Sequence, residues 1–215
     1  MLLKCPHLSN FPSLKHSFIK MKPEDYPSPI VVLKQVHGTK VHLVMEAGVK
    51  KLEGDGLVTN IKGLHLGIMT ADCGPVLFYD PEAQVIGACH AGWRGARAGI
   101  LQATISEMET LGAKRMRIHA TLGPTIQQQY YEVGSEFPDL IGEVYEEYFY
   151  PSEKKGHHYF NLPHYIYQQL LREGLASFHD IKCDTFSGNF SSRRRFIAEG
   201  IQEIKADNLS LIAIN

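Results

Sequence analysis

Three short segments place reactive side chains where a strand ends or the chain reverses. They carry His37 before a glycine, Cys73 within Thr-Ala-Asp-Cys-Gly-Pro, and His90 within His-Ala-Gly-Trp-Arg-Gly. Imidazole and thiolate ligands together favour zinc or a related transition metal over magnesium or calcium. Three protein ligands leave the fourth position of tetrahedral zinc open to water or substrate, which is typical of catalytic sites. We therefore predict one catalytic zinc ion at these three residues, with copper as the alternative metal.

Simpler interpretations of the same residues remain open. A cysteine beside a strand is typical of a small buried hydrophobic residue, and a histidine before glycine can hydrogen-bond a turn. The three residues are also far apart in the sequence, unlike compact metal motifs such as His-Glu-x-x-His. The spacing therefore supports a metal site without requiring one.

A glycine-rich turn could bind an anion. Residues 92–95, Gly-Trp-Arg-Gly, open a predicted helix, and the first turn of a helix presents free backbone N–H groups to anions. Glycine lets the backbone approach a ligand closely, and the guanidinium of Arg94 suits phosphate or carboxylate. An ion pair between Arg94 and a surface carboxylate explains the residue equally well. The basic run at residues 193–195 could likewise bind an anion or form a solvated turn.

Apolar runs rich in β-branched residues predict the elements that hold these segments. The predicted strands cover residues 30–36, 41–45, 64–70, 76–79, 84–90, 117–122 and 209–214. Helical spacing of apolar side chains predicts helices over residues 95–111, 138–148 and 162–173, the last capped by Asn161. The strand over 84–90 is spaced as the second arm of a hairpin, and Gly54-Asp55-Gly56 predicts a turn. This order predicts an α+β fold of mixed β-sheets flanked by helices, in one layered domain over residues 1–215.

Composition and charge exclude several classes of partner. The chain has 215 residues, a hydrophobic content of 44% and a formal net charge of -1, which is unlike a nucleic-acid-binding protein. It contains no apolar stretch of about 18 residues, so we expect no contact with a membrane. The four cysteines are scattered, which indicates reduced thiols and a cytoplasmic location. The sequence leaves the oligomeric state undetermined.

Taken together, the segments resemble the YfiH-type family, whose members are known as laccase-domain or polyphenol-oxidase proteins and as purine nucleoside phosphorylases. The resemblance rests on an ordered set of motifs over residues 34–134. These motifs are Gln35-Val36-His37-Gly38, Gly54-Asp55-Gly56, Thr70-Ala71-Asp72-Cys73-Gly74-Pro75-Val76-Leu77, His90-Ala91-Gly92-Trp93-Arg94-Gly95, Leu122-Gly123-Pro124 and Tyr131-Glu132-Val133. A His-Ala-Gly-Trp-Arg-Gly segment at this distance after Ala-Asp-Cys is a specific signal.

The resemblance implies a function and a metal. It implies zinc at His37, Cys73 and His90, and a fold of mixed β-sheets flanked by helices. It also implies phosphorolysis of adenosine, inosine, guanosine and methylthioadenosine, with adenosine deamination as a second activity. Small-molecule nucleosides and phosphate would then be the partners.

The chain departs from the family pattern at three places, all of which concern substrate range and leave the predicted ligands unchanged. The loop after His16-Ser17-Phe18 is short and lacks the family's glycines and arginine. Asn161-Leu162 replaces an Asp-Leu pair, and Ser191-Ser192-Arg193-Arg194 replaces Ser-Tyr-Arg-Arg.

Within this interpretation we assign roles to individual residues as hypotheses. The predicted catalytic residues are Asp72, Arg94 and Glu132. The residues predicted to bind substrate or phosphate are Gln35, Gly92, Arg94 and Arg194. Asp72 and Glu132 are the candidates for proton transfer, although Asp72 could equally orient a ligating histidine.

Three other functions remain open. A copper-dependent polyphenol oxidase could use the same ligands, although multi-copper sites use paired His-x-His motifs and the chain has none. A Cys–His hydrolase would use Cys73 as nucleophile and His90 or His37 as base. A metal-stabilised binding module would need no turnover. The His-x-Glu and Pro-Cys-x-x-Cys signature of base deaminases is absent, so deamination would need a different arrangement.

Overall fold

The computed structural model describes residues 2–46, 52–142, 145–202 and 207–215, and these form an α+β fold. The strands are β1 (Leu2–Leu3), β2 (Leu14–Lys20), β3 (Ile30–Val32), β4 (Val41–Leu43), β5 (Gly56–Thr59), β6 (His65–Thr70), β7 (Gly74–Asp80), β8 (Val85–Ala91), β9 (His119–Leu122), β10 (Glu132–Val133), β11 (Phe149–Pro151), β12 (His158–Phe160), β13 (Ser177–Asp180) and β14 (Asn208–Ile214). The helices are α1 (Trp93–Ala98), α2 (Ile100–Thr110), α3 (Phe137–Ile141), α4 (Tyr145–Tyr148), α5 (Leu162–Arg172) and α6 (Arg193–Ala198). None of these helices is long and apolar enough to cross a membrane.

The strands form two large mixed sheets and one small sheet. The five-stranded sheet has the order β1-β2-β14-β6-β3, the six-stranded sheet β13-β9-β7-β8-β5-β4, and the small sheet β10-β12-β11. Parallel pairs join β3 to β6, β4 to β5 and β13 to β9, and the other pairs are antiparallel. The predicted hairpin is confirmed, with Gly74 opposite Ala91 and Pro75 opposite His90. This register places the strand ends that carry Cys73 and His90 side by side.

Both faces of the central strands are buried, in two different hydrophobic cores. Leu77 and Ile86 pack between the two large sheets, whereas Val76 and Phe78 face the layer that contains α2 and α5. Successive residues of a strand point to opposite faces, so burial of both faces favours a continuous apolar run. This explains why residues 74–79 of β7 and residues 85–89 of β8 form uninterrupted apolar runs in the sequence. The layering confirms the predicted fold class, while a single domain over residues 1–215 stays a prediction.

Several predicted elements occur with shifted ends. The predicted strand over residues 30–36 is shorter in the structure, and beyond β3 only Lys34 forms an isolated bridge, with Glu53. Helix α5 begins where predicted, because the Asn161 side chain accepts a hydrogen bond from the His164 N–H at 3.0 Å. The predicted turn at residues 54–56 leads directly into β5, which begins at Gly56.

The prediction of one helix over residues 95–111 is wrong. The chain forms α1 and α2, separated by Gly99 with a φ of 99°. Glycine adopts this left-handed conformation without a steric penalty, so it can end one helix and begin another. The helix predicted over residues 138–148 is present as α3 and α4, and residues 143–144 lie outside the described residues. The sequence did not predict β1, β2, β5, β10–β13 or α6.

His16 holds the N-terminal segment against the five-stranded sheet from a buried position on β2. Its Nε2 atom accepts a hydrogen bond from the N–H of Cys5 at 2.9 Å. Burial lowers the pKa of His16 to about 4. Protonation of Nε2 would also break this hydrogen bond. The folded protein therefore keeps His16 neutral at pH values at which the unfolded chain binds a proton.

We expect the folded protein to lose stability as the pH falls from 6.5 to about 4. Above this range both states leave His16 neutral, and within it only the unfolded state is protonated, so the free energy of unfolding falls by about 3 kcal/mol. His16→Gln removes the titration and keeps an acceptor for Cys5. Urea unfolding at a series of pH values should therefore show that the free energy of unfolding falls less steeply with pH in the variant than in the wild type. If the free energy of unfolding depends on pH in the same way in both proteins, His16 is not the group that titrates.

Candidate active site

The structure brings His37, Cys73 and His90 together at one end of the six-stranded sheet. One ligand atom from each residue lies within 4.8 Å of the other two, and Cys73 Sγ lies 3.9 Å from His37 Nε2. Sulfur and nitrogen ligands of one tetrahedral zinc ion lie about 3.6 Å apart, given bond lengths of about 2.3 and 2.1 Å. The donor types and their spacing therefore fit a transition-metal ion. In the described part of the chain, no other group of three such side chains converges this closely.

Strand ends and two unusual backbone conformations position these ligands. His90 lies near the end of β8, and Cys73 directly precedes β7. His37 has a φ of 61°, and Asp72, which precedes Cys73, has a φ of 90°. A positive φ costs a residue other than glycine about 1 kcal/mol or more, so the surrounding contacts must hold these turns. The turns direct both ligands towards His90.

Asp55 connects two of the ligands, a role that the sequence analysis missed. Its carboxylate is fully buried and accepts hydrogen bonds from the N–H groups of Val36, His37 and Gly38 at 3.2, 2.9 and 2.7 Å. Nδ1 of His90 lies 2.8 Å from the same carboxylate. A proton on Nδ1 leaves Nε2 of His90 free to bind a metal, as is usual for histidine ligands. The Gly-Asp-Gly motif was the one signal in the sequence for this role of Asp55. The residues that Asp55 contacts are distant from the motif in the sequence, so the motif alone does not identify them.

The surroundings of Cys73 favour its thiolate. Burial alone raises the pKa of this thiol, but the neighbouring His90 and His37 lower the pKa to about 6. For His90, burial lowers the pKa, but Cys73 and Asp55 raise it to about 9. In contrast, burial raises the pKa of Cys89 to about 12, so that cysteine stays a neutral core residue. The thiolate is the form of cysteine that binds metals.

Gly92 lies directly against two of the ligands. A Cβ atom at this position would lie 2.8 Å from Cys73 Sγ and 3.0 Å from His37 Cδ2. Gly92 also precedes the six-residue helix α1. The absence of a side chain therefore lets the start of α1 approach the ligands, and the predicted contact of this backbone with phosphate stays a prediction.

A cavity of about 480 Å³ opens beside the ligands and has both polar and apolar walls. The residues that line it are His37, Ala71, Asp72, Cys73, Trp93, Arg94, Ile126, Tyr131, Arg193, Arg194 and Ile197. Among the residues predicted to act on substrate, Asp72, Arg94 and Arg194 lie in this wall. Gln35 and Glu132 do not. The cavity therefore joins two of the candidate metal ligands, His37 and Cys73, to the two predicted anion-binding arginines.

Gln35 and Glu132 make other contacts. The side-chain amide of Gln35 pairs with the backbone of Met69, donating to its carbonyl at 2.7 Å and accepting from its N–H at 2.9 Å. The carboxylate of Glu132 accepts a hydrogen bond from the hydroxyl of Ser152. The predicted roles of Gln35 in substrate binding and of Glu132 in proton transfer gain no support from these positions.

Asp72 ties the loop that carries Cys73 to the C-terminal part of the chain. Its Oδ1 atom accepts a hydrogen bond from the Thr185 hydroxyl at 2.6 Å, and Oδ2 accepts one from the N–H of Arg194 at 2.7 Å. Its carbonyl accepts from the N–H of Ile126 and the hydroxyl of Thr125. Because both carboxylate oxygens are engaged, these contacts favour a positioning role over proton transfer. They also place the start of α6 at the cavity.

The two anion-binding candidates lie over aromatic rings. The guanidinium of Arg94 lies 4.5 Å from the centre of the Trp93 ring, and that of Arg194 lies 5.4 Å from the centre of the Tyr131 ring. Within the residues that the structure describes, neither guanidinium forms an ion pair with a carboxylate. Stacking on an aromatic face leaves the N–H groups available, so both arginines can donate to an anion in the cavity.

The layered fold therefore carries a candidate His-Cys-His metal site beside a cavity that contains two arginines. The family model described as multi-copper polyphenol oxidoreductase laccase matches residues 17–202. The chain belongs to this family, which confirms the resemblance seen in the sequence.

Relatives in this family carry two kinds of enzyme name. A purine nucleoside phosphorylase of Rickettsia conorii is 33% identical over 171 residues, which cover 77% of this chain and 70% of the relative. A purine nucleoside phosphorylase of Deinococcus radiodurans is 51% identical over 104 residues, 48% of this chain and 40% of the relative. An adenosine deaminase from an unknown prokaryotic organism is 37% identical over 125 residues, 54% of this chain and 48% of the relative. The last two matches thus span less than half of the relative.

Solved structures share the fold. A Neisseria meningitidis protein superimposes with a TM-score of 0.75 at 30% identity, over 87% of this chain and 75% of its own. YlmD from Geobacillus stearothermophilus gives a TM-score of 0.81 at 22% identity, over 95% of this chain and 93% of its own. The second likeness supports the fold alone.

Proposed function

We propose that this protein is a zinc-dependent purine nucleoside phosphorylase that acts on adenosine, inosine, guanosine and methylthioadenosine, with adenosine deamination as a second activity. The observation that carries the proposal is one cavity that joins His37 and Cys73 to Arg94 and Arg194, with His90 completing the group of donors behind its wall. The names of the relatives from Rickettsia conorii and Deinococcus radiodurans support the same reaction class.

Phosphorolysis places specific demands on the cavity. A phosphate oxygen forms a bond to the anomeric carbon of the sugar, the C–N glycosidic bond breaks, and its electron pair leaves with the purine. Arg94 and Arg194 bind the phosphate by charge-assisted hydrogen bonds and hold it against the sugar. Zinc, when bound, acts as a Lewis acid towards a substrate oxygen or nitrogen. Asp72 contributes by fixing Arg194 and the Cys73 loop in place.

The family description favours a second candidate, a copper-dependent polyphenol oxidase. Copper binds nitrogen and sulfur ligands more tightly than zinc does, so the three donors alone do not select between the metals. Oxidation of phenols through several coppers needs further ligand groups, and the described residues form one group of three. Thiolate and imidazole donors beside a cavity with two arginines fit zinc and an anionic co-substrate better than they fit several coppers and a phenol.

The test is an assay on protein of measured metal content. Adenosine, inosine and methylthioadenosine are incubated with and without phosphate, and the products are separated by chromatography. We expect free base and sugar phosphate only when phosphate is present, with about one zinc per chain. Oxidation of a phenol that depends on added copper, without release of base from any nucleoside, would overturn the proposal.

We expect Arg94→Ala to weaken phosphate binding selectively. Removal of a charge-assisted hydrogen bond costs about 1.5–3 kcal/mol, so the KM for phosphate should rise by about 10- to 100-fold. Arg97→Ala is a matched control, because Arg97 is also exposed and on α1 but does not line this cavity. Steady-state kinetics at saturating inosine measures the effect. An unchanged KM for phosphate in Arg94→Ala would show that the residue does not bind it.

A further inference from the structure

We infer that the hydroxyl of Tyr131 donates a hydrogen bond to the phosphate held by Arg94 and Arg194, and so helps to orient the attacking anion. The inference rests on the proposed function, because it assigns one more residue to the same cavity. Neither the sequence motifs nor the comparisons give this tyrosine a role.

The ring of Tyr131 is held rigidly at the cavity wall. Its ring centre lies 6.2 Å from that of Phe137 and 5.7 Å from that of Phe160, in edge-on contacts. Its backbone N–H donates to Gln128 at 3.0 Å, and its carbonyl accepts from the N–H of Phe160 at 3.0 Å. A donor held in this way needs little reorganisation to meet a ligand.

The hydroxyl of Tyr131 has no hydrogen-bond partner among the residues that the structure describes, although the residue lines the cavity. Arg194 covers one face of its ring. Burial, and then the nearby Cys73 thiolate, raise the pKa of Tyr131 above its usual value, while Arg194 and Arg94 oppose this. The phenol therefore stays protonated, and its O–H is available to a ligand.

The polar groups around the cavity favour phosphate as that ligand. The carboxylate of Asp72 accepts from the Thr185 hydroxyl and the Arg194 N–H, and it forms no hydrogen bond with the Tyr131 hydroxyl. A phosphate dianion has four oxygens, and the guanidinium groups approach it as cations from α1 and α6. Tyr131 lines the same cavity as Arg94, Arg194 and Cys73, so its hydroxyl and the two guanidinium groups can meet one anion. A neutral O–H donor in this cavity can bind a phosphate oxygen without adding charge beside Cys73.

The chain offers a matched pair of variants. Tyr131→Phe removes the hydroxyl and keeps the ring that packs on Phe137 and supports Arg194. Tyr130→Phe removes the adjacent hydroxyl, but Tyr130 stacks on Phe186 at 4.5 Å and does not line this cavity. Both proteins are compared with wild type in the zinc-loaded form, at equal metal content.

Two readouts separate a positioning role from a structural one. Calorimetric titration with inorganic phosphate should show that Tyr131→Phe binds about 10- to 100-fold more weakly, as expected for loss of a hydrogen bond to a charged group. Steady-state kinetics should show a similar rise in the KM for phosphate, with the KM for inosine changed less than about twofold and Tyr130→Phe like wild type.

The outcomes distinguish this inference from the proposed function. Equal phosphate affinity in wild type and Tyr131→Phe overturns the inference, even if the wild type is an active phosphorylase. A wild type that binds no phosphate overturns both. Phosphate binding that is weakened only in Tyr131→Phe, without phosphorolysis of any nucleoside, overturns the proposed function and supports the role of Tyr131 in binding the anion.

Discussion

Cys73→Ser is expected to abolish metal binding and, with it, turnover of nucleosides. Serine at this position stays a neutral hydroxyl, which is a poor ligand for zinc compared with a thiolate held between His37 and His90. Loss of a residue that only orients a metal ligand lowers metal affinity or activity by about 10- to 100-fold. Loss of the ligand itself should therefore lower activity by more than about 100-fold. Metal analysis after gel filtration and the phosphorolysis assay measure the two losses.

Cys183→Ser is the matched control for this prediction, because Cys183 is also partly exposed but lies outside the cavity. It should keep its zinc and its activity. Alkylation by iodoacetamide then distinguishes the two roles of Cys73. A ligand is protected by bound zinc, whereas a nucleophile of a Cys–His hydrolase reacts whether or not zinc is present. Loss of activity in Cys73→Ser with a full complement of zinc would contradict its role as ligand.

The convergence of two candidate metal ligands, Cys73 and His90, could be predicted because each lies at the end of an apolar segment. Cys73 precedes one arm of a hairpin, and His90 lies near the end of the other arm. The apolar residues of both arms are buried on both faces, so the hydrophobic pattern and the chain reversal together predict that the two residues approach each other. His37 is different, since β3 and β4 belong to different sheets. The family resemblance predicted that His37 lies beside Cys73, whereas the periodicity of the sequence did not.

Interactions between distant segments were beyond the reach of the sequence. Arg193, Arg194 and Arg195 are adjacent and chemically identical, yet the first two line the cavity while Arg195 donates to backbone carbonyls of residues 185–190. No local pattern separates these roles, because the helix that orients the three arginines is only six residues long. The same limit explains why the sequence pattern predicted one helix over residues 95–111 where the structure has α1 and α2. Apolar spacing continues across Gly99, and only the turned backbone reveals the break.

Asp55→Asn is expected to weaken both the fold and the metal site. The carboxylate is fully buried and accepts four hydrogen bonds, three from the backbone around His37 and one from His90. An amide nitrogen cannot accept, so the variant leaves at least one buried donor without a partner and loses the charge that orients His90. We expect the free energy of unfolding to fall by about 3 kcal/mol and zinc affinity to fall by about 10- to 100-fold.

Asp80→Asn separates these two effects. Asp80 is equally buried and accepts three backbone N–H bonds, from residues 82, 83 and 114, and one bond from Arg117, but it lies away from the metal ligands. Its loss should lower stability to a similar extent in urea unfolding and leave zinc affinity unchanged in competition with a chromophoric chelator. If Asp55→Asn binds zinc as tightly as Asp80→Asn, then Asp55 supports the fold alone. A selective loss of zinc affinity instead shows that one buried carboxylate couples the His37 turn to the orientation of His90.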